Sequence, residues 1–120
     1  MLKSTGVETP ETASNPSYTA PSETKRDLIR MGVIGYGYWG PNIVRNFHGQ
    51  ERSQVVAVCD KSAKSLKRVQ QSFPSMRVTS DCQDLLTSPE IDAIAIVTPV
   101  WSHYELAKAA LENGKHVFVE

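Results

Sequence analysis

A chain of 120 residues has room for one small domain, and 13 basic side chains against 13 acidic ones leave a formal net charge of zero. That balance excludes the basic face of a nucleic-acid binder, and no apolar run is long enough to cross a bilayer. The N-terminus lacks the apolar core of a secretory signal, so a cytoplasmic protein is expected.

Residues 1–27 are rich in Ser, Thr and Pro and hold few sizeable apolar groups. Such a segment cannot bury enough surface to offset its ordering entropy, which predicts a disordered tail. Glu8, Glu11 and Glu23 argue against reading it as a transit peptide. From residue 28 to residue 120 apolar runs alternate with helix-like segments. The runs are 28–34, 55–59, a weaker 76–79, 91–97 and 116–119, β-branched and without strict alternation, as in strands buried on both faces.

The intervening segments carry helical spacing. Residues 41–48 place Ile43, Val44 and Phe47 on one face, with Gly49 as a stop signal. Residues 62–72 lead to Leu66, Val69 and Phe73 on one side. A short third segment starts at Ser80, with Gln83 as its capping-box partner and Pro89 as its end. A fourth starts with the pair Ser102 and Glu105, buries Leu106, Ala107, Ala110 and Leu111, and stops at Gly114. This alternation predicts an α/β, doubly wound parallel sheet of the Rossmann type with strand order 3-2-1-4-5.

The chemistry gathers where strands end. Gly35-Tyr36-Gly37-Tyr38-Trp39-Gly40 follows the first run and opens the first helix. Gly35 makes the turn, Gly37 lets the backbone approach a diphosphate, and Gly40 lets the helix pack on the strand. Pro41 suits the first helical turn, whose free amides and dipole favour a phosphate. Tyr38 and Trp39 offer backbone amides; their rings cover a cofactor or meet a substrate, with packing the plainer account, as for Tyr36. Asp60, twenty residues beyond Gly40, completes the dinucleotide fingerprint and favours the free ribose of NAD. Lys61 and Lys64 leave NADP possible, although with Lys67 and Arg68 they also read as one solvated face. Thr98 and Pro99 end the fourth run, and Thr98 either offers an oxygen to the cofactor or simply ends the strand. His103 falls in the first turn of the fourth helix, with a local structural role as its alternative. His48 and His116 receive no role. Cys59 and Cys82 have neither C-x-x-C nor metal-ligand spacing, so both are read as reduced thiols and no metal site is expected.

Residues 31–42, 56–60, 91–99 with His103, and 114–120 together closely resemble the N-terminal domain of the Gfo/Idh/MocA oxidoreductases. The resemblance covers residues 28–120. It implies reversible hydride transfer between a nicotinamide and a secondary alcohol of a sugar, nucleotide-linked sugar or cyclitol. Glu120 matches the glutamate of the family's Glu-Lys-Pro motif, which adds it to the cofactor-side residues. The lysine that moves the proton would come next, so no catalytic residue is expected within the 120. The family's second domain supplies substrate contacts and most of the interface of homo-oligomeric relatives. Val100 and Trp101 depart from the small polar residues usual after Thr-Pro. The chain alone is expected to hold a dinucleotide without turnover and to be of marginal stability until a cofactor binds. A non-catalytic NAD-binding or sensing module, and a relative running net non-redox chemistry, are the readings kept beside it.

Overall fold

The computed structural model describes residues 28–120, so the tail read at residues 1–27 lies outside the described residues. Ten elements follow in order: β1 (Ile29–Ile34), α1 (Gly40–His48), β2 (Ser53–Cys59), α2 (Ala63–Ser72), β3 (Arg77–Thr79), α3 (Gln83–Leu86), β4 (Ala93–Ile96), a 3-10 turn (Val100–Ser102), α4 (His103–Glu112) and β5 (His116–Val119). The strands form one parallel sheet in the order β3-β2-β1-β4-β5. The predicted order is therefore the observed one. The chain winds outward from β1 to β3, then crosses to β4, so the order reverses between β1 and β4.

Both faces of the central strands β2, β1 and β4 are buried, which is why these strands lack simple alternation, whereas the edge strand β5, expected to be buried likewise, exposes His116, Phe118 and Val119. One face carries Met31, Val33, Val58 and Ala95 under α1 and α2, where Val44 and Val69 are fully buried. The other carries Ile34, Ala57, Ile94 and Ile96 against Leu85, Leu86 and Ala110. The register slips between Met31 and Gly32 opposite β2. This explains how Val55 and Val58, three apart, both reach the first face. Gly32 lets α3 come close, since a Cβ there would lie 2.9 Å from Leu85 Cδ2.

Several local expectations differ from the structure. Ser80 does not cap the third segment. Its helix starts after Cys82, and the Gln83 amide donates to Asp81 Oδ1 at 2.9 Å instead. Ser102 precedes α4 without capping it; its hydroxyl bonds the Pro99 carbonyl at 2.8 Å, which closes the 3-10 turn. Leu111 lies on the outer face of α4, 62 % exposed, while Ala110 takes the buried place. Leu106 and Ala107 pack partly buried against the same cluster as Ala110, while Leu111, about 100° further round the helix from Ala110, leaves that face. By contrast Ser62 caps α2, its Oγ accepting the Ser65 amide at 3.1 Å. Gly114 ends α4 with φ +76°.

Two long-range polar ties secure the edge opposite the strands' carboxyl ends. Asp92 accepts the Arg30 amide at 2.9 Å and the Arg30 guanidinium at 3.1 and 3.2 Å. Lys115 is buried and donates to the carbonyls of Ile91, at 2.8 Å, and Ser88. His48, given no role from sequence, accepts the Val55 amide at 3.3 Å and packs edge-on to Phe73.

Hydrogen bonding from Arg30 holds the Asp92 carboxyl below the usual carboxylate range. A depressed folded-state value adds stability above the unfolded-state value, and that stability fades as the pH falls through the folded one. Asp92→Asn is therefore less stable than the native chain at neutral pH, and the two converge in acid. Urea unfolding of both proteins across that pH range checks it. The effect is small, because both side chains are about half exposed.

Candidate functional site

Parallel strands bring their carboxyl ends to one edge, and the loops after β1, β2, β4 and β5 meet there. Gly35 leaves β1 with φ +105°, a conformation that favours glycine. A Cβ on it would stand 2.8 Å from the carbonyl of Val97, just past β4. The loop therefore presses against the neighbouring bank of the crevice. Gly37 is different: a Cβ there would meet nothing within 4 Å. Gly40 packs on the loop's own start, where a Cβ would lie 3.0 Å from the Gly35 carbonyl oxygen. The amides of Gly37, Tyr38 and Trp39 have no hydrogen-bond partner among the described residues, and α1 begins directly after them. Open space over unpaired amides at a helix N-terminus is the setting for an anion.

Asp60 ties this loop to the next strand. Its Oδ2 accepts the Tyr36 amide at 2.6 Å and its Oδ1 the Ser62 amide at 2.8 Å. The Gly35 amide donates to the carbonyl of Cys59 at 2.8 Å. Each carboxylate oxygen keeps a second lone pair, enough for two ribose hydroxyls. Arg68 reaches back from α2 to Ser65 Oγ at 3.3 Å and the Tyr36 carbonyl at 3.5 Å. It is thus engaged with the glycine loop, whereas Lys61, Lys64 and Lys67 are the exposed face expected of them.

Across the crevice, Thr98 is heavily used. Its hydroxyl lies 2.6 Å from Ser102 Oγ, and its carbonyl 2.7 Å from His103 Nε2. His103 thus fixes the loop after β4, with Nε2 as the donor to a carbonyl. Pro99 leads into the 3-10 turn. The Glu120 amide donates to Ile96 O at 3.0 Å, which sets Glu120 at the same carboxyl edge. The aromatics divide. Tyr36 is core, but Tyr38 is 85 % exposed and Trp39 53 %, meeting each other edge-on at 4.9 Å. Packing accounts for the first and not for the other two. Val100, Trp101 and Tyr104 are exposed on the opposite bank.

The site residues named from sequence all lie along this edge. Sequence reasoning missed Ser62, Arg68 and Ser102 as partners in it. Ser62 carried a local signal as a helix cap; Arg68 and Ser102 act through contacts that only the folded chain makes. Among the described residues no cluster of three or more His, Cys, Asp or Glu could hold a metal ion. No helix among them is long and apolar enough to cross a membrane.

The profile of the oxidoreductase family, NAD-binding Rossmann fold (Gfo/Idh/MocA), matches residues 29–120. The chain belongs to this family. It is an NAD-binding Rossmann domain of a Gfo/Idh/MocA oxidoreductase, and the glycine cradle with Asp60 fits that cofactor. An uncharacterized oxidoreductase of Escherichia coli K12, YdgJ, is 40 % identical over 78 % of this chain and 27 % of its own length. A biliverdin reductase from Synechocystis, solved with biliverdin and NADP+, is 34 % identical with a TM-score of 0.71, covering 76 % of this chain and 28 % of that one. A scyllo-inositol dehydrogenase from Lactobacillus casei, solved with NAD(H) and scyllo-inositol, is 27 % identical with a TM-score of 0.71, over 77 % of this chain and 27 % of that one. The chain spans about a quarter of the length of the curated relatives it matches.

Two glycine substitutions separate the family's cradle from its scaffold. Gly35→Ala meets both a positive φ and a backbone clash, and costs about 2 kcal/mol or more. Gly37→Ala leaves the melting temperature unchanged, because nothing is there to clash with. It lowers NAD affinity about tenfold, since its methyl group fills space over the amides. Thermal melts and calorimetric NAD titration of the two variants check the contrast.

Proposed function

We propose that residues 28–120 form a self-contained holder for NAD, and that the whole protein transfers hydride between it and a secondary alcohol. The supporting observation is the Asp60 carboxylate, which joins the glycine loop to the start of α2 through two backbone amides. In this reading the amides of Gly37, Tyr38, Trp39 and Gly40 take the pyrophosphate, and the α1 dipole adds to them. The free lone pairs of Asp60 take the adenosine ribose hydroxyls and repel a 2′-phosphate, so NAD binds more tightly than NADP. The loop from Thr98 and Pro99 to His103, with Glu120 beside it, forms the nicotinamide bank. His103 keeps the Thr98 carbonyl in place through its ring nitrogen. Exposed Tyr38 and Trp39 flank the cofactor.

When bound, the nicotinamide carries the hydride. The protein's part is to orient it and to supply a group for the alcohol proton. In this reading the edge holds and orients the cofactor without supplying that group, and the 120 residues bind NAD without turnover. The substrate class we propose is a sugar, nucleotide-linked sugar or cyclitol, in a cytoplasmic homo-oligomer. The solved scyllo-inositol dehydrogenase supports that class by likeness.

Binding and turnover test the two parts separately. NAD at one hundred times its Kd stabilises the chain by about 2.7 kcal/mol, and NADP at equal concentration does less. An unchanged melting temperature with NAD would sink the cofactor site. Secondary alcohols of the proposed class yield NADH, read by absorbance, with the protein carrying its further domain and not with the 120 residues. NAD binding with no turnover on any alcohol in either form would leave a sensing module instead. Asp60→Ala lowers NAD affinity and removes the preference over NADP, and paired titrations check this.

A further inference from the structure

Cys59 and Cys82 are 23 residues apart in sequence, separated by α2 and β3, yet their Sγ atoms lie 3.6 Å apart. The Cys59 thiol donates a hydrogen bond to Cys82 Sγ at that distance, with no disulfide between them. Their surroundings differ. Cys59 ends β2 and is 1 % exposed, whereas Cys82, at the start of α3, is partly open to solvent. Cys59 also touches the cofactor edge through its backbone. Its carbonyl accepts the Gly35 amide, and the next residue, Asp60, holds the amides of Tyr36 and Ser62.

We propose that Cys59 and Cys82 are an oxidative modification site: a low-molecular-weight disulfide converts them to an intramolecular disulfide that weakens NAD binding. The Cys82 thiolate attacks one sulfur of the small disulfide, whose S–S bond breaks and releases a thiolate that takes up a proton. Cys59, losing its proton to water, then attacks Cys82 Sγ and releases the second small thiolate. Two protein thiols lose two electrons and two protons, and one small disulfide becomes two thiols. Cys82 is the entry because it is the accessible thiol, and Cys59 resolves because no other thiol is in contact.

Closing the bond brings the sulfurs from 3.6 Å to about 2.05 Å, a movement of about 1.5 Å shared by the end of β2 and the start of α3. Asp60 already makes two hydrogen bonds of ordinary short length, so displacement of its strand end loosens them and the loop they hold. By linkage, bound NAD opposes oxidation by the same factor that oxidation weakens NAD. Burial, and the neighbouring Cys82, push the Cys59 thiol up to about 12. The resolving step is accordingly slow at neutral pH and quickens in alkali.

The test is to incubate the reduced 120-residue chain with oxidised glutathione, with and without NAD, and to follow it by intact mass, peptide mapping and NAD titration. The expected product has lost two hydrogens and contains a peptide crosslinked between Cys59 and Cys82. Its NAD Kd is raised about fivefold and restored by a dithiol reductant. Cys82→Ser keeps the reduced protein's NAD affinity and gives neither effect. A glutathione adduct that stays on Cys82, or a dimer through it, overturns the site. A crosslinked chain with unchanged NAD affinity overturns the coupling. Because oxidised and reduced forms of one protein are compared, no variant has to fold for either result to count.

Discussion

The carboxylate of Asp60 is the point on which the functional edge depends. It stands one residue past β2 yet bonds the backbone of the loop after β1, at 2.6 Å, and the backbone entering α2, at 2.8 Å. Three consecutive segments are thereby set relative to one another by one side chain. Charge-assisted bonds of this kind are about twice as strong as neutral ones, and they aim the loop's remaining amides toward open space. Removing the carboxylate would free both the loop after β1 and the entry to α2, so the two cannot be uncoupled at this position.

The sheet makes that junction possible. Parallel strands all end on one side, and the reversal between β1 and β4 parts the loops there into two banks. One bank is shaped by glycine. The other is shaped by a proline followed by a short polar network, in which Thr98, Ser102 and His103 bind one another's oxygens and ring nitrogen. The banks touch at Gly35 and Val97, where there is no room for a Cβ. At the opposite edge, Arg30 with Asp92 and Lys115 with Ile91 brace the strand starts.

Local sequence carried much of this. Gly35, Gly37 and Gly40 at fingerprint spacing after an apolar run announce a cradle: Gly35 needs its positive φ, Gly40 its close packing on the loop, and Gly37 keeps open space beside the unpaired amides. Strand identity was legible because burial on both faces requires unbroken β-branched runs. The capping pairs read less well. Ser80 with Gln83 and Ser102 with Glu105 satisfy the spacing, but a serine caps only if its backbone is extended there. At Ser102 the hydroxyl is drawn to Thr98 and Pro99 instead. Helical spacing likewise put Leu111 inside, and the sheet's short strands left it outside.

The sequence by itself determined the fold class, the strand order and the nature of the cofactor, because those follow from periodicity, glycine conformation and an acid at a set distance. Only the tertiary structure decided which side chains act together. The meeting of Arg68 with Tyr36, of His103 with Thr98 and of Cys59 with Cys82 depends on where α2, the loop after β4 and α3 come to rest. No local propensity encodes such contacts, since packing a helix on a sheet fixes them through the whole buried face.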